Sequence, residues 1–168
     1  AKLNWINQHY LKTDAPEDVA KHLLWHLDKA GYAIAGGPAP ADVVVALRDR
    51  VHTLKEMAEK ARCWYCPLTD DDIDAAAAAK QLTAAVREPL GVFTGKLEAL
   101  PEWTLAGVHA AFAETLAELD LAMGKLGPAI RVAITGNTAS PSIDHTVFLC
   151  GRDQALMRLH AAIGRLPA

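Results

Sequence analysis

The sequence predicts an all-α protein, folded as a helical bundle in two parts. Apolar residues recur at intervals of three and four in the clearest stretch: Leu105, Val108, Phe112, Leu116, Leu119 and Met123. A strand would need alternation of period two, which this stretch lacks. Residues that cap helix starts precede several such stretches, as Thr53 and Thr104 do. Hydrophobic residues form 51% of the 168-residue chain, enough to bury a core.

Three helices are predicted in the first part of the chain. Pro16 stands at a first-turn position and Gly31 at the end of a helix whose apolar face is Val19, Leu23, Leu24 and Leu27. A glycine- and proline-rich break at residues 36–40 leads to a short helix over about 42–49. Thr53 then begins the third helix as its N-cap.

Residues 67–72 are polar and rich in turn formers, and we place a boundary there. The expected subdomains are therefore 1–68 and 69–168. The second begins with an alanine-rich stretch over 73–100, and alanine has the highest intrinsic helix propensity. Residues 124–139 are less regular, because they hold three glycines and a proline.

The last two helices are predicted from their caps. Ser140 before Pro141 has the pattern of an N-cap followed by a first-turn proline. Gly151 ends that short helix, and Asp153 caps the final one. The apolar face of the final helix is Leu156, Leu159, Ile163 and Leu166.

Charge is unevenly distributed along the chain, whose formal net charge is -3. Residues 69–130 carry four Lys or Arg against ten Asp or Glu, a net -6. The segments on either side, 1–68 and 131–168, are mildly basic at +1 and +2. This pattern is compatible with a localised RNA contact that uses few phosphates and has a shallow salt dependence.

Targeting signals and membrane spans are not expected from the sequence. No apolar run reaches the roughly 18 residues that a span needs. The first residues fit neither a signal peptide nor a transit peptide. We therefore expect a cytoplasmic protein without membrane contact, and the three cysteines argue against a disulfide framework.

No motif for metal binding or catalysis is complete. Cys63 and Cys66 form a CxxC, but a structural zinc site needs four ligands and the third cysteine, Cys150, is remote in sequence. His22 and His26 lie four residues apart on one helix face, yet no HExxH is present. Phosphate-binding glycine motifs are also missing. We expect no metal and no catalytic residue, with a small metalloenzyme built on these cysteines and histidines as a minor hypothesis.

The segment most suggestive of recognition covers residues 129–143. Arg131 lies in an apolar run, and a polar loop and a helix start follow it. Single-stranded RNA bases are bound by arginine, by backbone N–H donors and by stacking. On composition alone, an arginine in an apolar run is more often a structural ion-pair partner than an RNA contact.

Four segments together resemble bacterial glutamyl-tRNA synthetase, a class I aminoacyl-tRNA synthetase. Residues 2–12 are similar to the family's KLxWxNxxYI stretch, and residues 53–62 to its TLKEMAEKxR helix. Residues 130–136 are similar to LRVALTG, and residues 140–152 to SPG followed by a short helix and LLG(K/R). The four segments occur in the family's order and spacing across nearly the whole chain.

The resemblance implies the fold of the class I synthetase anticodon-binding type and a partner, the anticodon loop of a glutamate tRNA. The family's catalytic domain carries HIGH-like and KMSKS-like signatures, which this sequence lacks. We therefore expect no cofactor here, whereas a parent ligase would use ATP and Mg²⁺. A monomer is expected. The alternative is a helical scaffold for protein–protein contacts, with the alanine-rich helices as its contact face.

Carried over by motif, the resemblance implies roles for several residues. Arg131 would reach an anticodon base, while Ser140 and Pro141 would line the pocket of the middle base. Ile143 would pack on the third base. An arginine before the TLKE helix would bind the first base, and Arg48 and Arg50 both fit. We prefer Arg50, by its distance from Thr53.

Overall fold

The computed structural model describes residues 9–167, which contain helices and no strand. The predicted all-α class is thus confirmed. Most of segment 2–12, one of the four that carry the resemblance, lies outside the described residues. The chain divides into two compact units, Ala1–Pro67 and Leu68–Ala168.

From residue 9 onward, the first unit has a helical segment at residues 9–13 and then three helices. They are α1 (Pro16–Lys29), α2 (Pro40–Leu47) and α3 (Leu54–Tyr65). Helix α1 packs against both α2 and α3. The side chains between them are fully buried and include Leu23, Leu27, Val43, Val44 and Met57.

Proline and threonine begin these helices, at Pro16 and Thr53 as the sequence predicted and at Pro40 two residues earlier than expected. Pro16 and Pro40 are first-turn residues, where a missing N–H costs no helical bond. Thr53 Oγ1 accepts a hydrogen bond from the Glu56 backbone N–H at 3.1 Å. The Glu56 carboxylate accepts a hydrogen bond from the N–H of His52, at 3.0 Å. The two bonds resemble a capping box, except that the carboxylate binds the residue before the N-cap and not the N-cap itself.

The second unit contains two short 3-10 turns, Asp70–Asp72 and Ala84–Val86, and six helices. The helices are α4 (Ala75–Gln81), α5 (Arg87–Glu98), α6 (Leu105–Glu118), α7 (Met123–Thr135), α8 (Ile143–Cys150) and α9 (Arg152–Gly164). Helix α7 contacts α4, α5, α8 and α9, so it lies at the centre of the unit. Its buried side chains, with those of α5 and α9, form the core.

The structure corrects two predictions about helix extent. Helix α6 ends at Glu118 rather than continuing through Met123, which is 62% exposed and begins α7. The stretch predicted as irregular is largely helical, because burial of residues 129–135 outweighs the low propensity of its glycines and of Pro128. Gly136, with φ of 81°, then ends α7.

Two predicted caps are also wrong. The N-cap of α8 is Ser142 rather than Ser140, and Pro141 lies before the helix. The final helix starts at Arg152 with Gly151 before it, so Asp153 is inside the first turn. Asp153 there still complements the positive end of the helix dipole.

A backbone hydrogen bond and a close backbone contact hold the end of α7 against the start of α4. The Asp74 N–H donates to the Gly136 carbonyl at 2.8 Å. The Gly136 Cα lies so close to the Asp72 carbonyl that a Cβ would overlap it. Only glycine meets both the positive φ and this close approach without strain.

Candidate nucleic-acid interface

Arg131 joins the centre of the second unit to the loop before α8. It lies in the C-terminal half of α7 and is half-buried. Its Nε donates to Ser140 Oγ at 3.0 Å, and its Nη2 donates to the Pro141 carbonyl at 3.0 Å. The structure therefore brings together three of the residues that the sequence singled out.

The loop between α7 and α8 is held by its own side chains. Asn137 Oδ1 accepts from the Ala139 N–H at 2.9 Å, which closes an Asx-type turn. Thr146 Oγ1 lies 2.9 Å from Ser140 Oγ and 2.8 Å from the Ser142 carbonyl. These bonds fix the loop before any ligand arrives.

Burial separates the predicted site residues into two groups. Arg131 and Ser140 retain solvent-accessible surface, whereas Pro141 and Ile143 are buried. Ile143 is 4% exposed and lies against Gly127, which has no side chain to hold the helices apart. In this conformation Ile143 offers little surface to a base, so it supports the site from beneath.

Polar groups at the start of α8 extend this surface. Asp144 Oδ2 lies 3.2 Å from His109 Nδ1, and Asp144 Oδ1 lies 3.6 Å from His145 Nδ1. Ser142 Oγ is 2.9 Å from His145 Nδ1. Burial raises the pKa of Asp144, but hydrogen bonds from Ser142, the His145 N–H and His109 outweigh it and hold that pKa below its usual value. Asp144 is therefore ionised at neutral pH.

The two candidate arginines of the first unit differ in their surroundings. Arg48 donates from Nε to the Leu11 carbonyl at 2.9 Å and from Nη2 to the Asp14 carbonyl at 2.6 Å. Arg50 is exposed, and its side chain makes no hydrogen bond or ion pair within residues 9–167. Arg48 thus ties the segment before α1 to α2, while the Arg50 guanidinium is available to a ligand.

The cysteines and histidines considered as metal ligands do not assemble. Within residues 9–167, no group of three or more His, Cys, Asp or Glu side chains could hold a metal ion. Burial raises the pKa of the Cys150 thiol to about 11, and a nearby guanidinium, Arg158, lowers it only in part. That thiol is a core side chain. Nor is any described helix both long and apolar enough to cross a bilayer.

Several residues of the site were missed by the sequence analysis. Thr146 is fully buried and was counted as part of an ordinary helix. The pairing of Asp144 with His109 joins α8 to α6 over 35 positions of sequence. A Ser/Thr four residues after a loop serine is the signal that could have indicated the Thr146 bond to the Ser142 carbonyl.

A family model, the anticodon binding domain, matches residues 11–163 of this chain. The chain belongs to that family. Its curated relatives include glutamate–tRNA ligases, which confirms the resemblance seen in the sequence. The ligase of Stenotrophomonas maltophilia is 52% identical over 166 residues, and that of Xylella fastidiosa is 50% identical over 163.

These matches cover 99% and 97% of the chain but 35% and 34% of the relatives. The chain thus spans about a third of the length of the curated relatives it matches. A glutamate tRNA ligase from Elizabethkingia meningosepticum aligns with 98% of this chain and 32% of its own, with a TM-score of 0.82 and 16% identity. One from Elizabethkingia anophelis covers 96% of this chain and 31% of its own, with a TM-score of 0.75 and 17% identity. These two structures establish the fold.

Proposed function

We propose that this chain binds the anticodon loop of a glutamate tRNA, as the anticodon-binding part of a glutamate–tRNA ligase. The observation that carries the proposal is the placement of the Arg131 guanidinium at the loop before α8, 3.0 Å from Ser140 Oγ and from the Pro141 carbonyl. Family membership and the ligase relatives support it.

The site has the chemistry that an unpaired base requires. A planar guanidinium can stack on a base and can donate to its edge. Ser140 supplies a hydroxyl beside it, which can donate or accept. The hydrogen bonds within residues 137–142 keep the loop ordered, and a preorganised loop loses less entropy when it binds.

The two units have separate roles in this proposal, as two anticodon-binding subdomains that cover residues 1–68 and 69–168. Arg131 reaches an anticodon base and Ser140 lines the pocket of the middle base, while the buried Pro141 and Ile143 support them. Arg50 contacts the first anticodon base, and its exposed side chain supports this choice over Arg48. The weak overall charge predicts a modest phosphate attraction. Specificity comes from the base contacts, because phosphate contacts carry no sequence information.

No catalytic role is assigned to this chain. In the proposed parent ligase, ATP and Mg²⁺ would act in a separate catalytic domain. The parent would be a cytoplasmic monomer, as expected for the family that the sequence resembles.

The proposal is tested by equilibrium binding of labelled glutamate tRNA to the 168-residue chain at low salt. A transcript with an altered anticodon and an unchanged body is the matched control. We expect about 10-fold tighter binding of the unaltered tRNA, since one good base contact contributes about 1–3 kcal/mol. Equal binding of the two transcripts, or none, would instead favour the protein–protein scaffold.

The two arginines of the first unit are distinguished by glutamine variants. Arg50→Gln is expected to leave stability within about 0.5 kcal/mol and to relax discrimination between CUC and UUC anticodons. Arg48→Gln is expected to lower the free energy of unfolding by about 1–2 kcal/mol, because it removes two hydrogen bonds from a charged donor. Urea unfolding and tRNA binding of both variants check this. Relaxed discrimination in Arg48→Gln alone would move the contact to Arg48.

A further inference from the structure

A cleft within the first unit has no role in the site described above. The segment before α1, one side of α1 and the start of α3 line it, and its volume is about 330 Å³. We call it the Tyr10 cleft, after a residue of its lining. Ligand pockets of proteins measure about 300–1,000 Å³, so a cleft of this size suits one small ring system.

The Tyr10 cleft has an apolar floor and aromatic walls. Leu11 and Val19 belong to its lining and are each 5% exposed. Tyr10 is 57% exposed, and His22 and His26 present two further rings from successive turns of α1. Unstacked bases of RNA bind by stacking on the rings of tyrosine and histidine, so this lining suits a planar base.

Polar groups in the lining differ in whether they already have a partner. The Asp14 carboxylate makes no hydrogen bond or ion pair in the part of the chain that the structure describes, and neither does the Tyr10 hydroxyl. Asp18, by contrast, accepts from Lys21 Nζ at 2.7 Å. Asp14 therefore offers a carboxylate that is available to a ligand.

The backbone around the Tyr10 cleft is held in place. Arg48 on the C-terminal side of α2 donates to the Leu11 carbonyl at 2.9 Å and to the Asp14 carbonyl at 2.6 Å. Thr53 Oγ1 accepts from the Glu56 N–H at 3.1 Å, which fixes the start of α3. A preformed cleft loses less entropy when a ligand binds.

The Asp14 carboxylate determines which base edge the cleft favours. An ionised carboxylate accepts hydrogen bonds and donates none. Cytosine presents an amino group, which donates to Asp or Glu, where uracil presents a carbonyl oxygen. Asp14 therefore attracts an amino-bearing base such as cytosine and repels the oxygen of uracil.

The charges of the lining place the phosphate outside the cleft. Asp14 and Asp18 would repel a phosphate that entered. Lys55, in the first turn of α3, is exposed, and its ammonium lies 3.9 Å from the Glu59 carboxylate, which is too far for a hydrogen bond. Lys55 can therefore bind a phosphate that adjoins a base seated in the cleft.

We propose that the Tyr10 cleft is a subsite for one unpaired, amino-bearing base of RNA. Tyr10 stacks on the base, Asp14 accepts from its amino group, and Lys55 attracts the adjoining phosphate. This inference rests on the proposed function, because it takes RNA to be the ligand of the first unit. It requires no contact with Arg131 or Ser140, which belong to the second unit.

The experiment compares two labelled RNA hexamers, one of cytidine and one of uridine, in their binding to the 168-residue chain at low salt. Fluorescence anisotropy measures both affinities. The wild-type chain is expected to bind the cytidine hexamer about fivefold more tightly, the lower end for one good base contact. Asp14→Asn is expected to lose most of this preference, because an amide can both donate and accept.

Two variants of Tyr10 test the stacking contact. Tyr10→Ala is expected to weaken binding of both hexamers about fivefold or more, because stacking of a base on an aromatic ring tolerates any sequence. Tyr10→Phe keeps the ring and should stay within about twofold of wild type. Circular dichroism verifies that each variant is folded, and the phenylalanine variant keeps the test decisive if the alanine variant is not.

Two matched controls lie in the first unit but outside the lining of the cleft. Trp25→Ala removes an aromatic ring that is 58% exposed, and Asp28→Asn neutralises an exposed carboxylate of α1. Both should bind the two hexamers within about twofold of wild type. Weakening by Trp25→Ala as large as that by Tyr10→Ala would show that exposed rings bind RNA without a cleft, and would overturn the proposal.

Failure of this inference is distinguishable from failure of the proposed function. Absence of hexamer binding, equal binding of the two hexamers by the wild type, or a cytidine preference that persists in Asp14→Asn overturns the subsite. The proposed function is measured separately, with glutamate tRNA and a transcript altered at the middle anticodon base. Equal binding of those two transcripts overturns the proposed function, whatever the hexamers do.

Discussion

Replacing Arg131 by alanine is expected to weaken binding of glutamate tRNA about 5-fold to 150-fold, the equivalent of 1–3 kcal/mol. Binding of an anticodon-altered tRNA should change little, because that complex makes no productive contact with the guanidinium. The variant also loses the bonds to Ser140 and Pro141, so the loop before α8 becomes less ordered. Both effects reduce specific binding, and equilibrium titration with the two transcripts measures the difference.

One further variant distinguishes the shape of the Arg131 guanidinium from its charge, and a second serves as a control elsewhere in the unit. Arg131→Lys keeps the positive charge but loses the planar fork, so it should recover little of the affinity. Arg165→Ala removes an exposed arginine of the same unit, which is paired with Asp70, and should stay within about twofold of wild type. If Arg131→Ala weakened both transcripts equally, Arg131 would be a general electrostatic contact and not a base-specific one.

Replacing Gly136 by alanine is expected to lower the free energy of unfolding by about 2–5 kcal/mol. A positive φ costs an L-residue about 1–2 kcal/mol, and the new methyl would overlap the Asp72 carbonyl, an overpacking that adds about 1–3 kcal/mol. Domains of this size are stable by only about 5–15 kcal/mol, so the loss is a large fraction. Urea denaturation measures it.

Gly31→Ala is the matched control for this effect. Gly31 has a φ of 75°, yet a Cβ there would meet nothing within 4 Å. Its replacement should therefore cost only the conformational part, about 1–2 kcal/mol. An equal loss of unfolding free energy in the two variants would show that the Asp72 backbone moves aside easily. The expected cost of overlap with Asp72 would then be wrong.

Local signals in the sequence predicted much of the fold. Caps at Thr53 and Thr104 are observed where expected, because a cap needs only its own helix. Helix α7 was missed because Gly124, Gly127 and Pro128 lower local propensity, whereas the burial that makes this segment helical comes from neighbouring helices. A short window of sequence does not indicate how a helix packs against helices that are distant in the chain.

The candidate site was predicted in part for the same reason. Arg131 and the turn at Ser140 were singled out together, and they are in contact. Ser140 was expected to cap a helix, but its hydroxyl instead accepts from a guanidinium of another helix. The pairing of His109 with Asp144 depends on how α6 packs against α8, so no spacing in the sequence reveals it.

Pro128 lowers the number of backbone hydrogen bonds within α7. A proline within a helix removes one backbone hydrogen bond and crowds the carbonyl four residues earlier, here that of Gly124. The first turn of α7 is therefore joined to the turns that carry Arg131 by one backbone hydrogen bond fewer, and side-chain packing has to supply the stability that this bond would give.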